Sequence, residues 1–431
     1  MTLAAETVGR ARPFHAHRRS ASQSMRDLIH DVVLQLKGYE NHFGLRKRKR
    51  SAKAAAVYLD TVDAILCDLV HRELESAGGR VYVSQSNQVL RKKSRYKGSA
   101  MGKALPDILK VMSAPEMGFV TLTPGKPRFT ASDDGWAFTV KGKQTVMSAG
   151  GKLLSRIKTF GIEFTDIGRS QEEETILLRG EKLRSDQPGP LVEYADTEET
   201  VRLRQQLADI NDWLEQADIE CDQTATHDRH LRRIFNNTDF RQGGRLYGGF
   251  WQSMKGLDRL CSIMIDDDST VELDYGQIGL LLLYALEGCK PPTGDLYDLS
   301  EHGLPASCRP GIKKVTQAAI NAAKPLSRMP QGARKTIPKR ISLARVMNAI
   351  QQRHPEIVHR FGEGIGMHIM RLESDILVEV LLTLKDQQIV ALPVHDAVLV
   401  NAHHEQEVTQ VMIEVFQEHT GLIPEITVEH P

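Results

Sequence analysis

Val394-His395-Asp396 lies between two short apolar runs, and no other stretch narrows the possible folds of this chain so far. Leu392 to Val400 predicts a β-hairpin, with apolar and β-branched residues on both sides of a tight turn that carries an acid. Upstream, the run from Val271 predicts a strand that ends at a second acid, Asp274, and passes into an apolar helix reaching Glu287. Two carboxylates at strand ends, once brought together by folding, are the minimum apparatus for holding two divalent metals about 4 Å apart. That arrangement drives in-line phosphoryl or nucleotidyl transfer.

With 431 residues the chain is long enough for two or three domains with real cores. No run approaches the roughly 18 apolar residues that would cross a bilayer, so no membrane partner is expected. Arg10, Arg12, Arg18 and Arg19 lie near the N-terminus without an apolar stretch beside them, which argues against a secretory signal. Cys67, Cys221, Cys261, Cys289 and Cys308 are widely spaced, so neither a zinc site nor a disulfide framework is suggested. A reducing cytoplasm is the expected location. Charge is uneven: residues 1–150 hold 25 Lys and Arg against 13 Asp and Glu, while the whole chain is +1. A basic front half suits a polyanion, and an acidic rear half suits a domain that holds metal cations.

Residues 1–24 are rich in Ser, Arg and His and are expected to be poorly ordered. A helix is predicted over 25–42. Arg46-Lys47-Arg48-Lys49-Arg50, with Lys53 just after, offers phosphate contacts or forms a solvated linker. Ala54 to Glu75 predicts one amphipathic helix, with Val57, Leu59, Val62, Ile65, Leu66 and Leu69 on its apolar face. Residues 80–180 suggest a winged-helix module. In it Ser84–Leu90 and Met101–Met112 would be two helices of a helix-turn-helix, and Phe119–Phe129 a hairpin wing with a Pro-Gly turn. The alternative is a small α+β domain with a cationic surface. A linker near Ser185–Pro190 marks a boundary, and Thr197 to Ala217 reads as a charged helix with Leu203, Leu207, Ile210 and Leu214 as its stripe. The expected organisation is a basic segment over 1–53, a DNA-binding region over 54–185 and a chemical domain over 195–431.

Four segments of the rear half carry candidate chemistry. In Asp239–Phe250, Gly243-Gly244 lets the backbone turn closely before the cation Arg245, with Tyr247 two residues on. After Asp274 come Tyr275, whose main-chain carbonyl could add a metal ligand, and Gln277 and Gly279 on the first helical turn. Arg309, Lys313, Gln317 and Asn321 are spaced by four, which lines them along one face of a helix opposite Ile312, Val315, Ala319 and Ile320. Such a face can follow a triphosphate and then a sugar or base, or it can simply be solvated. The last segment is a long helix from about Gly366 to Lys385 that leads into the Val-His-Asp turn. Leu377, Val378, Val380, Leu381 and Leu384 are its expected core, and Glu373 and Asp375 also lie in it.

Taken in order, Gly-Arg-Leu-Tyr, Asp-Tyr-Gly-Gln-Ile, Arg-x3-Lys-x7-Asn, Glu-Ser-Asp-Ile and Val-His-Asp resemble the polymerase core of family A DNA polymerases and of single-subunit phage-type RNA polymerases. The resemblance covers roughly residues 235–431. It implies an α+β palm-and-fingers domain, an antiparallel sheet with packed helices, and a two-metal mechanism with Mg²⁺ or Mn²⁺. Asp274 and Asp396 match the metal aspartates, with His395 in the family's His-Asp pair. Arg309 and Lys313 match the fingers cations that hold the incoming triphosphate, which places Gln317, Asn321, Gln277 and Gly279 in the nucleotide site. Arg245, with Tyr247, matches the residues that look toward primer or template. A DNA template, a primer and a dNTP or NTP are the implied partners, with room for other replisome proteins. The implied setting is replication of a plasmid, phage or mobile element.

Departures from the family pattern matter as much. Gly279 stands where the DNA polymerases carry a glutamate that guards against the ribose 2′-hydroxyl, and Gln317 and Asn321 replace aromatic residues. The interval from Asp274 to Asp396 is short, so the fingers are expected to be reduced. These departures leave open an RNA polymerase or primase, and also a non-catalytic DNA-binding protein on a decayed polymerase fold. Whether Glu272, Glu373 or Asp375 assists the metals is likewise open.

Overall fold

Four of the described helices begin at a Ser or Thr whose side chain caps the first turn: Ser22, Ser51, Thr197 and Ser342. The computed structural model describes residues 11–125, 128–131, 137–140, 143–184 and 187–431. Two compact units divide the chain, Met1–Glu174 and Thr175–Pro431.

The first unit runs β1 (Arg12–Pro13), β2 (Arg18–Ser20), α1 (Gln23–His42), α2 (Ala52–Glu75), β3 (Val81–Val83), α3 (Asn87–Arg91), α4 (Leu105–Met112), β4 (Val120–Thr123), β5 (Arg128–Ala131), β6 (Ala137–Val140), β7 (Thr145–Ala149), α5 (Gly151–Phe160) and β8 (Ile167–Arg169). Ser22 and Ser51 cap α1 and α2, their side chains accepting from the N–H groups of Met25 and Ala54. A sheet in the order β1-β3-β7-β4 shares one core with the apolar faces of α1, α2, α4 and α5; Leu28, Val32, Ile65, Leu66, Leu109, Phe119 and Met147 lie in it.

Four expectations for this unit need correction. Residues 11–20 are held in place, because fully buried Asp68 on α2 pairs with Arg12 at 2.7 Å and Arg18 at 3.3 Å. Residues 1–10 lie outside the described residues. On α2 the buried face is carried by Tyr58, Val62, Ile65, Leu66 and Leu69, while Val57 and Leu59 are exposed. No helix-turn-helix forms: α3 is one short turn, and residues 92–104 separate it from α4 where the motif needs a turn of about 3–4 residues. The wing is absent as drawn, because β4 pairs with β7 and β5 with β6; Lys126 and Pro127, which follow the expected Pro124-Gly125 turn, lie outside the described residues.

The second unit runs β9 (Ile176–Leu178), α6 (Glu198–Gln216), β10 (Ile219–Cys221), β11 (Arg232–Asn236), β12 (Asp239–Tyr247), α7 (Gly256–Ser262), β13 (Ile263–Ile265), β14 (Asp268–Gly276), α8 (Ile278–Leu286), α9 (Arg309–Asn321), α10 (Leu343–Arg353), α11 (Gly366–Asp386), β15 (Ala391–Val394), β16 (Ala397–Asn401), α12 (Glu405–Thr420) and β17 (Glu425–Glu429). The unit starts ahead of the linker expected near 185–190, because β9 pairs in parallel with β11 and so belongs to this core. A six-stranded antiparallel sheet runs β10-β13-β14-β16-β15, with β17 also paired to β14. Val271, Leu273 and Tyr275 of β14 point into the core, where the Tyr275 hydroxyl donates to the Met412 carbonyl of α12 at 2.8 Å. Glu272 and Asp274 alternate onto the other face, as strand geometry requires. The fold is mixed α+β. Among the described residues no helix is long and apolar enough to cross a membrane.

Candidate active site

Strand register brings the two sequence-predicted aspartates together. Asp274 lies opposite Ala397 in the β14–β16 ladder, and Val394 pairs with Ala397 across a two-residue turn, so Asp396 stands beside Asp274. His395 takes a φ of 61° at the first turn position, a left-handed conformation uncommon outside glycine but one that His, like Asn and Asp, adopts more readily than most residues. Non-glycine residues in this region cost energy and gather at functional sites. Among the described residues, neither the Asp274 nor the Asp396 carboxylate has a hydrogen bond or ion pair.

Three acids nearby are each matched by an arginine, while exposed Glu429 on β17 adds a further negative charge that acts on Asp274. Glu272 accepts from buried Arg259 at 2.6 and 3.0 Å. Glu373, buried on α11, accepts from Arg245 Nε at 2.6 Å. Asp375 accepts from Arg233 at 2.5 Å and Arg371 at 2.8 Å. These three acids, left open as metal assistants by the sequence, are each paired to arginine. Arg245 reaches Glu373 because of a bulge. The two-residue turn Asn237-Thr238, both at positive φ, closes the β11–β12 hairpin, and the register then slips so that Phe235 faces Gly243 and Ile234 faces Arg245. Gly243 and Gly244 sit at φ +84° and +90°, and a Cβ on Gly243 would collide with Asn236. A bulge of this kind re-aims the following side chain. Arg245 is thus turned toward α11 and Asp396, while Tyr247 stands edge-on to His395 with ring centroids 6.5 Å apart.

Helix α9 supplies the cationic wall. Arg309, Lys313, Gln317 and Asn321 are all exposed, opposite buried Ile312, Val315, Ala319 and Ile320. The buried ring of Tyr297 lies beneath the two cations, 5.7 Å from Arg309 Cζ and 5.9 Å from Lys313 Nζ. Arg309 is already engaged, because its Nε and Nη2 donate to the Asp295 carboxylate. Lys313 has no ion-pair partner among the described residues, and its field acts on Asp274. Gln277, at φ 63°, anchors the loop that carries Asp295 and Tyr297: its Oε1 accepts the Leu296 N–H at 2.6 Å. His354 holds the same residue from the other side through the Leu296 carbonyl at 2.8 Å. Asn321 donates to the Gln317 carbonyl at 2.8 Å, and its Oδ1 sits where a Cβ on Gly366 would be. A Cβ on Gly279 would meet nothing within 4 Å. Asp295 and Tyr297 escaped the sequence reading. Their only signal was an Asp-Leu-Tyr run inside a loop rich in Pro and Gly.

The electrostatics follow from this placement. Burial first, then the Asp396 charge, pushes the Asp274 carboxyl up to about 7, against the pull of Lys313. Burial also raises the Glu373 carboxyl, which Arg245 opposes. Burial and the Arg245 charge lower the imidazole of His395. Asp274 should therefore leave a signature in stability. Its pKa is about 7 when folded and 3.8 in the unfolded reference, so between these values the folded state holds the proton more tightly. Stability of the metal-free chain then falls as pH rises from about 4 to 7. The expected loss is roughly 2 kcal/mol after discounting for solvent screening. Urea unfolding of wild type and Asp274→Asn at pH 5 and pH 8 checks this: the variant should lack that share of the slope, and identical slopes would refute it.

A metal ion fits the donor set. Two adjacent, unpaired carboxylates suit Mg²⁺, which binds one or two carboxylates and takes its other ligands from water and substrate phosphates. Among the described residues no group of three or more His, Cys, Asp or Glu side chains could hold a metal; Asp274 and Asp396 are the carboxylates that would hold one here. Because the Tyr275 phenol is buried on the far face, any share it has would come through its main-chain carbonyl.

Comparison with protein-family models finds no match. None of the curated proteins matches either. Solved structures do match, among them the POL domain of Pol1 from M. smegmatis in complex with DNA primer-template and dNTP. That likeness has 12% sequence identity and a TM-score of 0.31, and it covers 96% of this chain and 66% of that one. No residue role rests on it.

Proposed function

We propose that the second unit is a template-directed nucleotidyltransferase of the DNA polymerase kind, acting on a primer, a DNA template and a nucleoside triphosphate with Mg²⁺ or Mn²⁺. One observation carries the reading: Asp274 and Asp396 are adjacent, partly buried and unpaired, while Glu272, Glu373 and Asp375 around them each have an arginine. A fold left to minimise its own energy would not leave two like charges facing each other without a partner. A bound Mg²⁺ would ease ionisation of the primer 3′-hydroxyl and offset the charge of the departing pyrophosphate. The chain's residues do the rest. Lys313 places a positive charge beside the pair, where a triphosphate would lie. Arg309 gives one edge of its guanidinium to Asp295 and keeps Nη1 for phosphate oxygens. Arg245, tied to Glu373, stays charged next to Asp396 and can contact a strand backbone. The 3′-oxygen bonds to the α-phosphorus as the bond to pyrophosphate breaks, so no protein nucleophile is needed.

Lys313→Ala is expected to raise the KM for the triphosphate about 10- to 100-fold, the worth of a charged hydrogen bond, with the KM for primer-template unchanged. Steady-state kinetics in each substrate checks the split; equal loss for both substrates would remove Lys313 from the triphosphate site.

A second reading, RNA synthesis or priming, is favoured by Gly279 alone. Gly279 itself offers no side chain against a 2′-hydroxyl, and a Cβ there would meet nothing within 4 Å. Primer extension with dNTPs, with NTPs, and with NTPs but no primer separates the two. Preference for dNTPs supports the first reading, and NTP incorporation at comparable rates supports the second.

A further inference from the structure

We infer that residues 43–49 of the first unit form a contact site for single-stranded nucleic acid, an assignment that rests on the proposed polymerase reading for its partner. The loop follows α1 and is rigidly placed at both ends. Phe43 N–H donates to the Tyr39 carbonyl at 3.0 Å and Leu45 N–H to the Glu40 carbonyl at 2.9 Å, with Gly44 at φ +58° between them. At the far end Arg50 forms a two-point pair with buried Glu40 at 2.6 and 2.7 Å, and its guanidinium lies 3.7 Å from the centre of the Tyr58 ring. Arg50 is therefore the anchor of the basic run and leaves the set of phosphate contacts that the sequence suggested.

What the anchors hold out is specific. Arg46, Lys47, Arg48 and Lys49 are exposed, and among the described residues their side chains have no partner. Beside them Phe43 is 50% exposed, braced by Tyr39 at 4.5 Å and His42 at 4.8 Å between ring centroids. A firmly held aromatic face next to four cations is the pairing that single strands use, one group stacking a base and the others following the phosphates. A duplex offers no free base face to that ring, so the ring selects single-stranded over double-stranded partners. An anionic lipid surface would also attract the cations, but a helix lying in a membrane interface needs a free apolar face. The apolar face of α1, with Met25, Leu28, Val32 and Leu36, is buried in the core.

The test is fluorescence anisotropy of a labelled oligo-dT strand with the full chain, in chelator and without nucleotide, across a salt series. Arms with a blunt duplex and with phosphatidylserine vesicles run in parallel. Phe43→Ala is expected to weaken strand binding about tenfold with the salt slope unchanged, and Phe43→Trp to restore it. Replacing Arg46, Lys47, Arg48 and Lys49 together by Ala should make the slope of log K against log salt shallower by about 3. These side chains are exposed, so thermal melts should match wild type. Unchanged affinity and slope in both variants would overturn the assignment, as would a loss seen only on the duplex or only on vesicles. Primer extension is scored separately on the same proteins. Wild type that extends primers while the loop variants bind normally sinks the loop alone, and strand binding through the loop without extension sinks the activity alone.

Discussion

Asp396→Asn is expected to lower nucleotide incorporation about a thousandfold or more while making the metal-free chain more stable. The two effects share one cause. In the folded chain Asp274 is half-buried beside Asp396, and its carboxyl is pushed up to about 7, by burial first and by that neighbouring charge second. Removing the charge at 396 relieves Asp274, so the fold loses a repulsion it otherwise carries. On the proposed reading, the same change removes one of the two carboxylates that would hold the metal. An acid that served packing would behave in the opposite way, because its loss would leave a partner unsatisfied. Single-nucleotide incorporation, together with urea unfolding in chelator, reads both effects. Activity and stability falling together would show that the pair is structural.

The largest loss of stability is expected at Arg233. This side chain is 2% exposed on β11, donates from Nε to the Gly244 carbonyl at 2.7 Å, and reaches Ser374 at 3.1 Å and Asp375 at 2.5 Å on α11. Burial lowers its guanidinium to about 10, against the pull of Asp375. Arg233→Met would take one donor from the Gly244 carbonyl, which keeps Ser374, and one from Asp375, which keeps Arg371, inside the packed contact between the β11–β12 hairpin and α11. The expected cost is about 1–3 kcal/mol in urea unfolding, the range for lost hydrogen bonds to a charged group. Arg233→Lys should recover only part of it, because a point charge cannot serve three acceptors in a planar fork. Since Gly244 and Glu373 flank this contact, Arg233→Met should also loosen Arg245 beside Asp396. A loss below about 1 kcal/mol, the size of an exposed pair, would show that the network is not needed.

Sequence periodicity made much of the second unit legible. The strand at Asp274, the helix over 309–321, the long helix before the Val-His-Asp turn and the hairpin itself all announce themselves by local pattern, and local pattern also explains the buried stripe of α6. Pairings over long sequence distances were out of reach. Nothing in the sequence says that Arg245 meets Glu373, or that Arg309 meets Asp295, because these contacts are set by a bulge and by an anchored loop. The basic run shows the same limit: Arg46 to Arg50 look alike in sequence, yet only Arg50 finds a buried acid. In the first unit, a turn of helix too short for the expected motif and a β4 strand that pairs with a distant β7 broke the winged-helix reading. Strand partners there depend on tertiary context that alternation cannot encode.

Most direct of all is Mg²⁺-dependent addition of one labelled nucleotide to a primer annealed to a DNA template, by wild type, Asp274→Asn and Asp396→Asn. The expected result is incorporation by wild type that requires the metal and is lost in both variants. No incorporation of any dNTP or NTP by a wild-type chain that still binds DNA would contradict the central claim, and equal incorporation by all three proteins would place the chemistry away from Asp274 and Asp396.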